Sequence, residues 1–213
     1  MKYSCSGVIL AGGLNLRFSG KNKALLVVGG KRILDHILDI YSQIFKEILL
    51  VTNDPLPYVE RDINIVTDIY PIQSPLTGIH SGLFHSSAPY GFFTACDTPF
   101  VKRELIEAMI DGIESRADVI VPETSKGLQP LFAVYSKQCL QPIESHLTGQ
   151  KKNPQLRGFL QHELKIQHFF KKVCVKKMPE KFCRDKDPDL VSFFNINRPE
   201  DLVEAEKLAK SIQ

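Results

Sequence analysis

Hydrophobic and polar positions along this chain keep two rhythms that take turns. Residues 6–11 and 47–52 are short continuous apolar runs, as buried strands require, and 63–66, 91–95, 118–121 and 130–135 repeat the pattern. Between them apolar residues return every three or four positions. Ile33, Leu34, Ile37, Leu38, Tyr41, Ile44 and Phe45 mark a helix over 32–45. The same spacing predicts helices over 77–86 and 102–114, and a mainly helical 136–161 broken near Gly149 and Pro154. An edge strand is expected over 167–175 and a charged loop over 179–188. A last helix should start at Pro199, where the missing N–H costs nothing, with Glu200 and Asp201 at its positive end.

Strands that alternate with helices predict an α/β chain with a mostly parallel central sheet and crossover helices. Ligands bind such sheets just beyond the carboxyl ends of the strands. That rule singles out Ala11-Gly12-Gly13, Asp68 and Cys96-Asp97, each lying past an expected strand. No repeat or low-complexity linker divides the 213 residues, so one domain over 1–213 is expected.

Composition changes this picture little. Hydrophobic residues make up 43% and charged residues 24%, an ordinary globular mix. No apolar run approaches the roughly 20 residues that span a membrane, and a cytoplasmic location is expected. The five cysteines are scattered, without a C-x-x-C, which speaks against a disulfide scaffold or a zinc site. Charge adds more. Residues 151–186 hold 11 Lys/Arg against 3 Asp/Glu, although the whole chain is only +3. Such a block either meets an anionic partner or is a solvated surface.

The chemistry concentrates at the strand ends. Gly12 and Gly13 let backbone N–H groups approach a ligand, and Arg17 and Lys23 follow at a reach that suits phosphate oxygens. The loop fits neither the Walker spelling nor G-x-G-x-x-G. Asp97, at the end of the strand GFFTA, can hold Mg²⁺, which takes one carboxylate and completes its shell with water and phosphate; the plainer alternative is a helix cap. Cys96 beside it has no histidine base nearby and reads as a core thiol. Asp68 can accept hydrogen bonds from a base or ribose, and Gly78 in SPLTGI permits close backbone approach. Asn195 and Asn197 alternate with Ile196, so in an extended chain both amides face one side, unless Asn197 only caps the last helix. The six histidines show no catalytic spacing.

Taken together, LAGGLNLRFSGKNKALL, SPLTGI, ACDTPF, QPLFAVY and FFNINRPEDL resemble, in this order, the molybdenum cofactor guanylyltransferase (MobA) family of nucleotidyltransferases. The resemblance implies a Rossmann-like three-layer nucleotidyltransferase fold. It also implies transfer of GMP from GTP to Mo-molybdopterin, with Mg²⁺ and release of pyrophosphate. Carried over by motif, Leu10, Ala11, Gly12 and Gly13 would line the nucleotide, Lys23 would contact its phosphates, and Asp68 and Gly78 would complete its pocket. Asp97 would carry the metal, and Arg17 would hold the anionic substrates. Asn195 and Asn197 would face the pterin, and apart from the motif the basic block, Arg157 included, is expected to help form the site for that anion. The family spells the loop R-M-G-x-D-K, whereas this chain has Phe18, Ser19 and Asn22. The asparagine that members carry at the end of the second strand aligns with Val51, and Asn53, two residues on, is its expected substitute.

Implied partners are the two small-molecule substrates, with transient contact to other cofactor-biosynthesis proteins or the recipient molybdoenzyme; neither nucleic acid nor membrane is expected. Two neighbouring readings stay open on the sequence alone, a CTP-dependent cytidylyltransferase for the same pterin and a non-catalytic nucleotide-binding relative. A sugar-phosphate transferase generally needs a second metal-binding acid late in the chain, where this sequence has Asn195 and Asn197.

Overall fold

The computed structural model describes residues 4–12, 22–114, 116–149 and 166–212. Strand β1 (Cys5–Leu10) is the centre of a sheet in which β4 (Ile48–Val51), β5 (Asn64–Val66) and β6 (Tyr90–Ala95) follow as parallel neighbours. On the other side of β6 the pattern changes. β9 (Phe132–Ser136) runs antiparallel between β6 and β7 (Val119–Thr124), and β10 (Val175–Pro179) pairs parallel with β7 at the edge. The path is therefore β10-β7-β9-β6-β1-β4-β5, with β8 (Gly127–Leu128) folded back onto β7.

Helices α1 (Ile33–Ile44) and α3 (Arg103–Asp111) cover one face together with the C-terminal helix Pro199–Ile212, while α2 (Pro75–His85) and α4 (Leu140–Gly149) cover the other. Alternation along the strands assigns the faces. Ile9, Leu50, Phe92 and Ile120 join the first core, whereas Val8, Leu49, Phe93 and Val119 join the second. Strands buried on both faces read as continuous apolar runs, which is why 6–11 and 47–52 carry so strong a signal. The start of α2 has a local cause: Ser74 Oγ accepts from Leu76 N at 3.2 Å and Pro75 takes the first position of the helix.

Two local readings change, and a hairpin appears that the sequence reading did not name. The segment expected as an edge strand over 167–175 is a short helix Ile166–Phe169 followed by a 3-10 turn, because Ile166, Phe169 and Phe170 point into the second core; the edge strand starts at Val175. The charged stretch after it contains the helix Glu180–Arg184, held by an Arg184–Glu180 pair one turn apart. Finally, the apolar residues after the glycine loop form a hairpin, β2 (Val27–Val28) and β3 (Lys31–Arg32). Gly29 (φ 58°) and Gly30 (φ 80°) are both left-handed, the conformation that a two-residue hairpin turn demands. None of the helices among the described residues is long and apolar enough to cross a membrane.

Candidate active site

The registers bring four strand ends to one edge. Leu10 lies beside both Val51 and Ala95, and Val51 beside Val66, so the residues after β1, β4, β5 and β6 emerge together. Ala11 N donates to Val51 O, Thr52 N to Val66 O and Cys96 N to Leu10 O, which carries the alignment one residue further.

At the β4/β5 end, Asn53 and Asp68 clasp each other. Asn53 Nδ2 donates to Asp68 Oδ2 at 2.8 Å, and Asp68 N donates to Asn53 Oδ1 at 3.0 Å. The other carboxylate oxygen, Oδ1, is buried and has no hydrogen-bond partner among the described residues. A buried acceptor in that state is a docking point for a donor supplied by a ligand. Burial pushes the Asp68 carboxyl above the ordinary carboxylate range, opposed by the Asn53 amide. Gly78, in the first turn of α2, leaves the site open: a Cβ there would stand 3.2 Å from Leu10 Cδ2 and 3.9 Å from Asp68 Oδ1. A Cβ on Gly12 would meet none of the described residues within 4 Å, so among them its backbone is unobstructed beside Leu10 and Ala11.

At the β6 end the charges gather. Lys23 Nζ donates to Asp97 Oδ2 at 3.1 Å and to Asn197 Oδ1 at 2.8 Å. Three residues far apart in sequence thus form one cluster, with only 15% of the Lys23 side chain and 17% of the Asp97 side chain exposed. Asn22 sets the lysine: its Oδ1 accepts from Ala24 N at 3.1 Å, capping the 3-10 turn Lys23–Leu25. Its amide also pairs with the hydroxyl of the fully buried Tyr58, which desolvation pushes up to about 12. Replacing the family's aspartate with Asn22 therefore leaves a fixed cap and a neutral neighbour for Lys23.

The helix-cap alternatives for the two acceptor-bearing residues do not hold. Asp97 is engaged by Lys23, well before α3 begins at Arg103. The last helix is closed instead by Asp201 Oδ2, which accepts from Asn197 N at 2.7 Å and Arg198 N at 2.8 Å, and this frees the Asn197 side chain for Lys23. Residues 194–197 form no strand, yet the expected alternation survives, because Ile196 is buried and its N–H donates to Asp97 O at 2.9 Å. Cys96 keeps its thiol: burial, then the Asp97 charge, push it up to about 12.

Beyond this cluster opens a cleft of about 270 Å³, lined by Asp97, Thr98, Asn195 and Asn197, by Gln129–Phe132 and by Ser192-Phe193. Gln129, Thr98 and Phe193 escape the sequence reading as site residues, although QPLFAVY already marks the segment that leads from Gln129 into β9. Behind the cleft, the carboxylate of Asp187, 1% exposed, accepts from Val191 N and Ser192 N and holds the turn that leads into 193–197.

A family profile described as the MobA-like NTP transferase domain matches residues 7–167. The chain belongs to this family of nucleotidyltransferases. It is 40% identical over 206 residues to the molybdenum cofactor guanylyltransferase of Desulfosudis oleivorans, covering 97% of this chain and 96% of that one. A probable molybdenum cofactor guanylyltransferase of Natranaerobius thermophilus is 37% identical, with 97% of each chain covered. Among solved structures, molybdopterin-guanine dinucleotide biosynthesis protein A of Archaeoglobus fulgidus is similar at a TM-score of 0.79 and 26% identity, over 97% of this chain and 99% of that one.

Within this MobA-like transferase, Leu10, Ala11, Gly12, Asn53, Asp68 and Gly78 lie along one stretch of sheet edge, and Lys23, Asp97, Asn195 and Asn197 along the next. Gly13, Arg17 and Arg157 lie outside the described residues, as does much of the basic block. In the part that is described, Lys176 and Lys177 pair with Glu114 and Glu123 along the β7–β10 edge. For a divalent metal the donor set is one carboxylate, Asp97, beside space that open backbone and a cleft leave for phosphate and water. No cluster of three or more metal-ligating side chains occurs among the described residues. This set suits Mg²⁺, which commonly binds through one or two carboxylates and substrate phosphates.

Proposed function

We propose that the protein transfers GMP from GTP to Mo-molybdopterin, forming molybdopterin guanine dinucleotide and releasing pyrophosphate. The observation that carries this reading is Lys23 bridging Asp97 and Asn197, two residues that line the cleft, on the same sheet edge as the unpartnered Asp68 Oδ1. A charged cluster between a cleft and an edge with a waiting acceptor is what joining two phosphorylated molecules requires.

In this reading Leu10, Ala11 and Gly12 lie along the nucleotide, and Asp68, steadied by Asn53, accepts from it through the buried Oδ1. Lys23 neutralises phosphate charge where the two substrates meet. Asn195 and Asn197 orient the acceptor; by the family motif Arg17 holds the anionic substrates and Gly13 lines the nucleotide, and Arg157 is assigned to the pterin from the basic block. The terminal phosphate of the acceptor attacks the α-phosphorus of GTP, and the bond to the β-phosphate oxygen breaks with its electrons leaving on pyrophosphate. The attacking oxygen is already anionic at neutral pH, so no general base is needed, in keeping with a site that holds no histidine among its described residues. Asp97 would hold Mg²⁺, which when bound supplies positive charge against the crowded phosphates.

Treating residues 1–213 as one domain belongs to the same proposal: β10 joins the sheet that β1 begins, and 195–197 completes the site that β1 opens. So do a cytoplasmic location and transient contact with other cofactor-biosynthesis proteins or the recipient molybdoenzyme. The test is pyrophosphate release by purified protein with Mg²⁺ and molybdenum-loaded molybdopterin, comparing GTP, CTP, ATP and UTP. Turnover with GTP is expected. Preference for CTP would change the product to a cytosine dinucleotide, and silence with all four would overturn the transferase reading.

A further inference from the structure

The part of the cleft lining formed by Gln129–Phe132 is held by several hydrogen bonds around Gln129. Its backbone N donates to Pro122 O at 2.9 Å and its backbone O accepts from Phe132 N at 3.0 Å, while Tyr135 Oη donates to Pro130 O at 2.8 Å. The side chain is held as well. Gln129 Nε2 donates to Thr124 Oγ1 at 3.2 Å and to Gly127 O at 3.4 Å, and Thr124 Oγ1 donates to Gly127 O at 3.1 Å. A backbone carbonyl can only accept, so the nitrogen of the carboxamide must face the β7–β8 turn. Its oxygen is the end left for a ligand.

Place in the sheet gives this oxygen a meaning. Asp97 rises from the end of β6, whereas Gln129 is tied to β7, two strands away across β9, a span of roughly 10 Å. Phe132 and Phe193 line the same cleft, their rings with centroids 5.2 Å apart and nearly perpendicular. The cleft thus has a charged end at Lys23 and Asp97, aromatic walls, and a neutral acceptor at the far end. A carbonyl oxygen repels phosphate and attracts N–H groups, so the far end takes the uncharged part of the acceptor molecule.

We propose that Gln129 is a specificity residue whose carboxamide oxygen accepts a hydrogen bond from the 2-amino group of the pterin, so that the phosphate end lies toward Lys23. This rests on the transferase reading above and adds to it the residue that tells the pterin from other phosphate-bearing acceptors.

The test is a fluorescence titration of 6-hydroxymethylpterin, and of the lumazine that carries oxygen in place of its 2-amino group, into the wild type and Gln129→Met with GTP present. The wild type should bind the pterin roughly tenfold more tightly than the lumazine, and the variant should lose that preference. Equal binding of both by the wild type, or an equal loss of both in the variant, would overturn the proposal; the second result would show that Gln129 merely braces the β7–β8 turn. Turnover with GTP and Mo-molybdopterin, measured in parallel, judges the reaction separately, because the titration decides the role of Gln129 whichever way turnover falls.

Discussion

On the β1/β4/β5 side of the site, ligand-facing groups stand at the ends of neighbouring parallel strands; on the β6/β9/β7 side they come from a lysine turn, a hairpin and a loop near the end of the chain. The first side is held by main-chain ladders and needs only one side-chain clasp, Asn53 with Asp68. The second is held by side chains that meet over long separations, Lys23 with Asp97 and Asn197, and by the Ile196 N–H on Asp97 O. Fixed backbone suits a nucleotide, whose base and ribose are recognised by shape and a few acceptors. A cluster of mutually dependent charges suits the reacting phosphates, where position and electrostatics set the rate.

Breaking the charged side should have the largest effect. Asp97→Asn is expected to lower kcat by about 10³-fold or more while circular dichroism and Tm stay near the wild type, since Asp97 is partly exposed and Asn keeps its shape. Near-normal Mg²⁺-dependent turnover in that variant would refute the metal assignment. Asn197→Ala and Asn195→Ala then separate the two amides. Asn197→Ala removes a 2.8 Å acceptor from Lys23 and should lower kcat/KM by about ten- to a hundredfold. Asn195, whose Nδ2 donates to Phe193 O, should affect mainly the KM for the pterin, and by less. Equal effects on kcat would mean that Asn197 does not act through the lysine.

Asp68→Asn sharpens the comparison from the other side. Burial raises its carboxyl, so the folded protein holds that proton more tightly than the unfolded chain does. Below the unfolded value both states are protonated and the folded state pays nothing; as pH rises through the folded value, stability is lost. The variant should therefore have a higher Tm than the wild type at pH 7 without nucleotide, with the gap closing as pH falls below the carboxylate range. Its KM for GTP should rise roughly tenfold through the lost charged acceptor. A lower Tm at pH 7 would show that Asp68 stabilises the empty site instead of waiting for a ligand. The smallest effect is expected at Asn22. Asn22→Ala removes a cap and leaves the buried Tyr58 hydroxyl without its partner, which should cost about 1–2 kcal/mol in denaturant unfolding.

The parallel half of the molecule could be read from the chain alone. Strands buried on both faces must be apolar throughout, so β1, β4 and β6 announce themselves, and parallel pairing obliges their carboxyl ends to share an edge. Ala11, Gly12, Asp68 and Asp97 follow from that rule. The hairpin at Gly29-Gly30 went unread in the sequence, although two adjacent glycines can supply the left-handed pair that its turn uses. Tertiary structure alone decided the rest. Whether 166–172 would be strand or helix depended on which core its aromatic residues could enter, and whether Asn197 would cap a helix or hold Lys23 depended on Asp201 taking the cap first. Asn53 found Asp68, and Gln129 found the turn that orients it, through contacts that no local pattern encodes. Periodicity reports which face of an element is buried; which polar groups then meet is settled by where the sheet and the returning chain bring them.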